Sequence, residues 1–506
     1  MQHSNRLPLF NREGYLPLRE YLDSFVTKKN QATWKFPLGI GDRIHLAFLR
    51  FVVRFSWFSD MLYIVHPHKV SPPYQALISF LQKNTLIDNF QEKDLAIEGY
   101  FYFCCRKNIF INGQSEIIKG EGVADDREEA LSKAVGETVE RVVSGFFDTN
   151  RDVTISSFED ISKHSKCFYP PRFHRLSGVQ KDINRNLLSN QNIKKIEWVK
   201  GVDLITREDV YFPKAITSWF LGNRKGNKDL VVSATSSGCA GFFSKEGAVL
   251  RGLMEVVERD AFLVHWLTKT VPDNIILESL PDGLKQKVKL FNQKGFIVSI
   301  LNITALPFPT VCIVALNTKA EVPYVTVTAS TSLSFKESIE KALEEITKML
   351  GFFMVTTIES NTFFSREGQF EKTEAVFLDK DSRRGYWRGE NKIKEIGWFL
   401  AGKQVSYNDL SRDKERYFSS DAEKLSHCLK VLKLQGEEYY PSVYYPKNNI
   451  QKEIGFYVAQ VYIPKAFPFY LVENYATFDS DRLDDFFELK HGNRNTEVNT
   501  VPHMFI

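Results

Sequence analysis

The chain has 506 residues, 43% of them apolar and 13% aromatic, which supplies a large core and excludes disorder throughout. A formal net charge of +4, from 66 basic and 62 acidic residues, gives no support to a nucleic-acid partner, so any basic site is local. Six cysteines without a Cys-x-x-Cys pair point to neither a zinc site nor a disulfide framework and fit reduced thiols in a cytoplasmic setting.

The chain runs from Met1 to Asp23 without an apolar stretch of secretory type. Residues 44–58 are hydrophobic but short and interrupted by Arg50 and Arg54, which predicts a buried amphipathic helix and no membrane span. Residues 1–95 hold no motif that carries chemistry and are expected to form an N-terminal extension of unassigned role. From Gly99 an aromatic run reaches Cys104; a polar turn at Asn112-Gly113 and a return strand ending near Gly120 predict a hairpin. The glycine-containing turn Lys119 to Asp126 then leads into an apolar-periodic run from Glu128 to Phe147, a helix. A second hairpin is expected from Ile196–Leu204 and Asp209–Pro213. The small-residue loop Ser233 to Gly241 precedes a long helix from Lys245 to about Lys269, an arrangement that lets backbone N–H groups approach a phosphate. Alternating strands over Phe296–Thr331, a third helix over Phe335–Phe352, a helix near Ala422–Leu434 and a strand-rich stretch at Gly455–Val472 complete the pattern. Strand, turn and helix recur, so the fold class is α/β (α+β).

The three main helices share a register. The first carries Lys133, Glu137, Glu140 and Arg141; the second Arg251, Glu255, Glu258 and Arg259; the third Lys341, Glu345 and Lys348. Positions four and then three apart lie on one side of a helix, so each set forms a charged stripe among small or aliphatic neighbours. On one helix alone, a base four residues before a Glu reads as a surface ion pair of about 0.2–0.5 kcal/mol. Recurrence on three helices points further. If the first two helices converge, Glu137, Glu140, Glu255 and Glu258 meet and need a cation; magnesium, shared between carboxylates and nucleotide phosphates, suits them. Arg141, Arg259, Lys341 and Lys348 are then placed to meet phosphate oxygens.

These residues resemble the YcaO superfamily. Gly120-Glu121-Gly122 with Glu137, Glu140 and Arg141 looks like its first block, where relatives carry Ser-x3-Glu-x2-Glu-Arg. Ser236-Ser237-Gly238-Cys239-Ala240 through Glu255 to Ala261, with its Glu-Arg-Asp-Ala ending, resembles the second, and Lys341 with Glu345 falls where relatives carry Arg-x3-Glu. The resemblance implies a YcaO-type domain over 96–506, built of repeated strand-turn-helix units around a nucleotide site. It implies ATP and Mg2+ as cofactors, bound through Lys133, Glu137, Glu140, Arg141, Ser237, Glu255, Glu258, Arg259, Lys341 and Glu345, with metal at Glu137, Glu140, Glu255 and Glu258. The implied reaction is phosphorylation of backbone amides in a ribosomally made precursor peptide, closing Cys, Ser or Thr to thiazoline or oxazoline as in azole bacteriocins. A separate leader-binding partner of winged-helix type is implied as well, and a homodimer is the default assembly. Thioamide formation with a sulfur-transfer partner, and a non-catalytic scaffold, are the alternatives. This chain departs from its relatives at Lys133, Ser237, Lys341 and Lys348. Its end, Asn499 to Ile506, is similar to a proline-rich family tail implicated in catalysis, which nominates Pro502, His503 and Ile506, although Met504 and Ile506 stand where prolines would.

Overall fold

The computed structural model describes residues 72–505, apart from 85, 94, 96, 112–113, 146–151, 190–193, 218–233, 319–323, 360–382, 384–385, 388–391, 412–415 and 494–496. The expected helix over 44–58, the Asn112-Gly113 turn, Ser233 and Ile506 lie outside the described residues.

The first hairpin pairs Phe101–Ile111 with Gln114–Ala124, and Asn89–Lys93 adds a third antiparallel strand. Phe296–Asn302, Thr310–Asn317 and Val325–Thr331 form an antiparallel meander, extended at its far edge by Asp273–Ile275 and Gln404–Val405. A third sheet joins Ile196–Asp203 and Asp209–Pro213 to Ser442–Tyr444, Tyr457–Tyr462 and Cys239–Phe242. The meander strands are buried almost throughout, because helices and neighbouring elements cover both faces.

Each repeated helix is shared between sheets. The first, Arg127–Gly145, packs on Gln114–Ala124 and touches Cys239–Phe242; the second, Lys245–Leu267, packs on Cys239–Phe242, Tyr457–Tyr462 and Val325–Thr331; the third, Phe335–Glu359, packs on Val325–Thr331 and touches Gln114–Ala124. Strand and helix thus alternate in a closed ring, and the ring aims the three charged stripes at a common space.

Local chemistry makes this closeness possible. Gly120 and Gly122 lie on the strand face toward the first helix, where a Cβ would collide with the Ala134 and Ala130 carbonyls. Tyr102 and Val123, on the other face, join the core beneath the third helix with Ile339, Leu343, Ile346 and Leu350. The second helix starts at Ser244, whose side chain accepts from the Gly247 N–H at 3.0 Å, a cap for one of the donors that the first turn leaves unpaired. Val249, Leu253, Val257, Phe262 and Trp266 are fully buried along it. No helix among the described residues is long and apolar enough to cross a membrane.

Candidate active site

The bases that open each repeat do not pair with the Glu four residues later. Lys133 bonds Glu129 at 2.8 Å and Glu344 of the third helix at 2.7 Å; Lys341 bonds Glu337 at 2.9 Å and the Ser332 hydroxyl at 3.0 Å. Arg251 donates to the Gly247 carbonyl at 3.0 Å, lies 3.5 Å from Asp421 and rests on the Phe242 ring. Side chains of a helix lean toward its N-terminus, so each long base reaches the preceding turn. Lys133 and Lys341, expected as nucleotide contacts, are therefore paired with Glu129, Glu344 and Glu337, and the Lys133 charge also helps hold Glu345 ionised.

Those carboxylates are held from the other direction. Arg141 donates to Glu137 at 2.6 Å and to the Lys119 carbonyl at 2.5 Å, while the Glu121 N–H donates to the other Glu137 oxygen. On the second helix Arg259 lies 3.3 Å from Glu255 and 3.7 Å from Glu258, and the Gly238 N–H donates to Glu255 at 3.1 Å. Gly238 has φ of +80°; its carbonyl lies where a Cβ on Gly252 would collide with it, and a Cβ on Gly238 itself would meet the Val461 carbonyl. That contact seats the Ser236-Ser237-Gly238 loop on the helix and leaves Ser237 half-buried beside Arg259. The third helix contributes Lys348, bonded to Glu345 at 2.6 Å and close enough to Glu137 and Glu121 to be favoured as a cation by both.

Glu121, Glu137, Glu140, Glu255, Glu258 and Glu345 therefore outnumber Arg141, Arg259 and Lys348. Solvent still reaches these side chains, so they line the floor of a cleft. Burial raises Glu140 well above the usual carboxylate range, and repulsion from Glu255 and Glu137 adds to it. Glu255 is raised by burial despite Arg259, and Glu258 is pushed to about 8 by burial, with Glu255 and Glu345 adding repulsion. Glu121 and Glu345 are held low: burial opposes their charge, and Tyr102 with Lys348 for the one, and Lys348 for the other, outweigh it. Arg259 Nε is buried with no partner. Such a cluster holds protons where a cation would otherwise bind.

Three site residues escape sequence reasoning: Glu121, Phe469 and Phe505. Glu121, which takes the Tyr102 hydroxyl at 2.5 Å, stood in plain view between two glycines ahead of the helix, and nothing local distinguishes it from an ordinary strand residue. Phe505 and Phe469 lie over Arg259, with ring centres 4.2 and 4.7 Å from the guanidinium carbon. The tail that carries Phe505 is threaded into the core. Trp266 and Trp387 donate to the Val501 and Pro502 carbonyls at 2.9 and 3.0 Å, and Arg383 Nη1 lies 2.7 Å from His503 Nε2. Pro502 and His503, nominated as catalytic, are buried, and burial with the Arg383 charge holds His503 neutral. Neither is presented to the cleft; they anchor the neighbour of Arg259. Asp260, which follows Arg259 in the Glu-Arg-Asp-Ala run, is fully buried and bonded by Arg482 at 2.9 and 2.6 Å.

Residues 121–466, which include all three stripes, match the family described as YcaO cyclodehydratase, ATP- and Mg2+-binding. The chain belongs to the YcaO family. No curated protein matches it. Among solved structures it is similar to the YcaO protein of Methanopyrus kandleri bound with AMPPCP and Mg2+, with TM-score 0.57, 17% identity, and 80% of this chain and 93% of that one covered. A heterocyclase in complex with substrate and cofactor has TM-score 0.65 and 16% identity over 85% of this chain and 57% of that one, so this chain spans little more than half its length. The E. coli microcin synthetase McbBCD complex with pro-MccB17 bound has TM-score 0.52 and 12% identity, covering 75% and 88%. At these identities the likeness is one of fold.

The YcaO cofactors fit the residues present. Proton-holding carboxylates and an orphaned guanidinium nitrogen are what a Mg2+-nucleotide would relieve. Among the described residues no three His, Cys, Asp or Glu side chains close on an ion by themselves. Mg2+ keeps several waters and is shared between one or two carboxylates and nucleotide phosphates.

Proposed function

We propose that this YcaO protein is an ATP- and Mg2+-dependent cyclodehydratase acting on a ribosomally made precursor peptide. A Cys, Ser or Thr side chain attacks the preceding carbonyl carbon and loses its proton; the former amide oxygen takes the γ-phosphoryl group of ATP and leaves as phosphate while the amide nitrogen gives up its proton to form the C=N bond, giving thiazoline or oxazoline, phosphate and ADP. The oxygen is a poor leaving group until it bears phosphate, and transfer needs positioned charges and no protein nucleophile.

In this reading Mg2+ would take one or two direct ligands from the group Glu137, Glu140, Glu255 and Glu258 and offset charge on the phosphates. Arg141 and Arg259, fixed by Glu137 and Glu255, present cationic faces to the phosphate oxygens, and Lys348 completes the field in place of Lys341. The Ser237-Gly238 loop lies beside them. The observation that carries the reading is the meeting of Glu140, Glu255 and Glu258 above their ordinary protonation range beside Arg259. The complexes of similar fold, with substrate or pro-MccB17 bound, support a peptide substrate and a separate leader-binding partner.

Calorimetry of ATP binding with and without Mg2+, together with phosphate release in the presence of the precursor peptide, tests it. Glu255→Gln and Glu258→Gln are each expected to abolish Mg2+-dependent ATP binding. Unchanged affinity in both variants would sink the site; binding without turnover would instead identify a scaffold.

A further inference from the structure

A groove opens beside the carboxylate site and shares Arg259, Ser237 and Thr235 with it. Its walls are apolar: Phe168 and Ile216 on one side, Val256 of the second helix and the stretch Val461 to Phe469 on the other. Of the polar side chains along the walls, Tyr462, Thr235 and His174 are engaged within the protein. Tyr462 donates to the Ile216 carbonyl at 3.2 Å, and Thr235 accepts from the Ser237 N–H at 3.3 Å. His174 bonds Ser480 at 2.8 Å and the Pro464 carbonyl at 3.2 Å. The unpaired donor belongs to Arg259, at the end shared with the nucleotide site.

We infer that this groove receives the apolar side chain of the precursor-peptide residue that flanks the activated amide, so that the enzyme selects an aliphatic or aromatic neighbour to the reacting Cys, Ser or Thr. The inference rests on the proposed function and adds a substrate preference to it. An occupant of the groove lies next to the phosphate-binding arginine, as the reacting amide must for in-line transfer. A phosphate chain finds its cation only at the Arg259 end, and the rest of the lining residues carry no fixed positive charge. Adenine is disfavoured because its ring nitrogens and amino group need hydrogen-bond partners, and Tyr462 and His174 are already spent within the protein. A hydrocarbon side chain asks for nothing but removal from water.

The test uses the full chain with Mg2+ and a nonhydrolysable ATP analogue, and fluorescence anisotropy of two dye-labelled synthetic hexapeptides that differ only in Leu or Gly immediately before a single Cys. The Leu peptide is expected to bind about tenfold tighter, as burial of a leucine side chain allows. Ile216→Phe, which fills the groove, is expected to erase that difference and leave nucleotide affinity unchanged; Phe168→Trp provides a second filled groove should the first variant fail to fold. Equal affinity for the two peptides, or no binding of either at millimolar concentration, overturns the inference. Loss of nucleotide affinity in the filled variants also overturns it, by assigning the groove to the base. Failure of the wild-type chain to bind MgATP would instead fall on the proposed function, because the peptide difference is read separately.

Discussion

Phe505 covers one face of the Arg259 guanidinium at 4.2 Å and so ties the end of the chain to the second repeated helix. A cation on an aromatic face in a partly desolvated setting gains about 0.5–2 kcal/mol. With Phe469 on it as well, Arg259 is held in a single orientation toward Glu255 and Glu258.

Phe505→Ala is expected to weaken MgATP binding by roughly 3-fold to 30-fold, the range set by that contact. Phe505→Trp should retain it. Isothermal titration decides the matter: equal affinities across wild type, Phe505→Ala and Phe505→Trp would show that the tail does not act through Arg259.

The stability of the apo protein should fall as pH rises. Glu258 is raised from an ordinary carboxylate value to about 8 by burial in the fold. A raised folded-state value means the native protein binds the extra proton between about pH 4.5 and 8, so its stabilising effect is complete below that window and lost as pH climbs through it. Melting temperatures taken from pH 5 to 8.5 without Mg2+ should decline, less steeply in Glu258→Gln, and the slope should shrink when MgATP occupies the site. A wild-type slope identical to that of the variant would contradict the assignment.

Gly122→Ala should lift the first helix off its strand, since the new methyl group meets the Ala130 carbonyl. A cost of about 1–3 kcal/mol is expected in urea denaturation, with weaker MgATP binding because Glu137 loses its fixed distance to the Glu121 N–H. Gly283→Ala, where a side chain meets open space, serves as the control and should change little.

Asp260→Asn should destabilise the fold by about 3–5 kcal/mol, because it leaves Arg482 buried without its counter-charge. Replacing both residues by apolar ones of similar size should cost less than either single change. Chemical denaturation of the three variants checks the order.

Lys133→Ser, which installs the residue found in relatives, should alter MgATP affinity less than about threefold. Arg141→Ala, by contrast, should reduce it by an order of magnitude or more, since a charge-assisted partner of Glu137 is lost. Comparable losses in the two variants would place Lys133 back at the nucleotide.

The repeated helices were legible because an apolar period of 3.6 residues survives any tertiary context. The second was expected over Lys245 to about Lys269 and spans Lys245–Leu267; the first was expected from Glu128 and starts at Arg127. Charge pairing was not legible. Lys133 has acidic residues on both sides along its own helix and another on a distant one, and nothing local ranks Glu137 against Glu129 or Glu344. The tail was hardest of all, because Pro502 and His503 gain their meaning from Trp387, Arg383 and Tyr470, more than thirty residues away at the nearest.

By itself, then, the sequence determined the three charged helices and membership of a family that binds ATP and Mg2+, while Lys119 to Asp126, expected as a turn, proved to be strand through Ala124. Those features depend on local periodicity and on residue types at short spacing. The tertiary structure decided how the charges pair: Arg141 with Glu137, Arg259 with Glu255 and Glu258, Lys348 with Glu345, and Lys133 and Lys341 with Glu129, Glu344 and Glu337. That choice depends on which distant groups compete for each flexible side chain, a contest settled only when the helices close on one another.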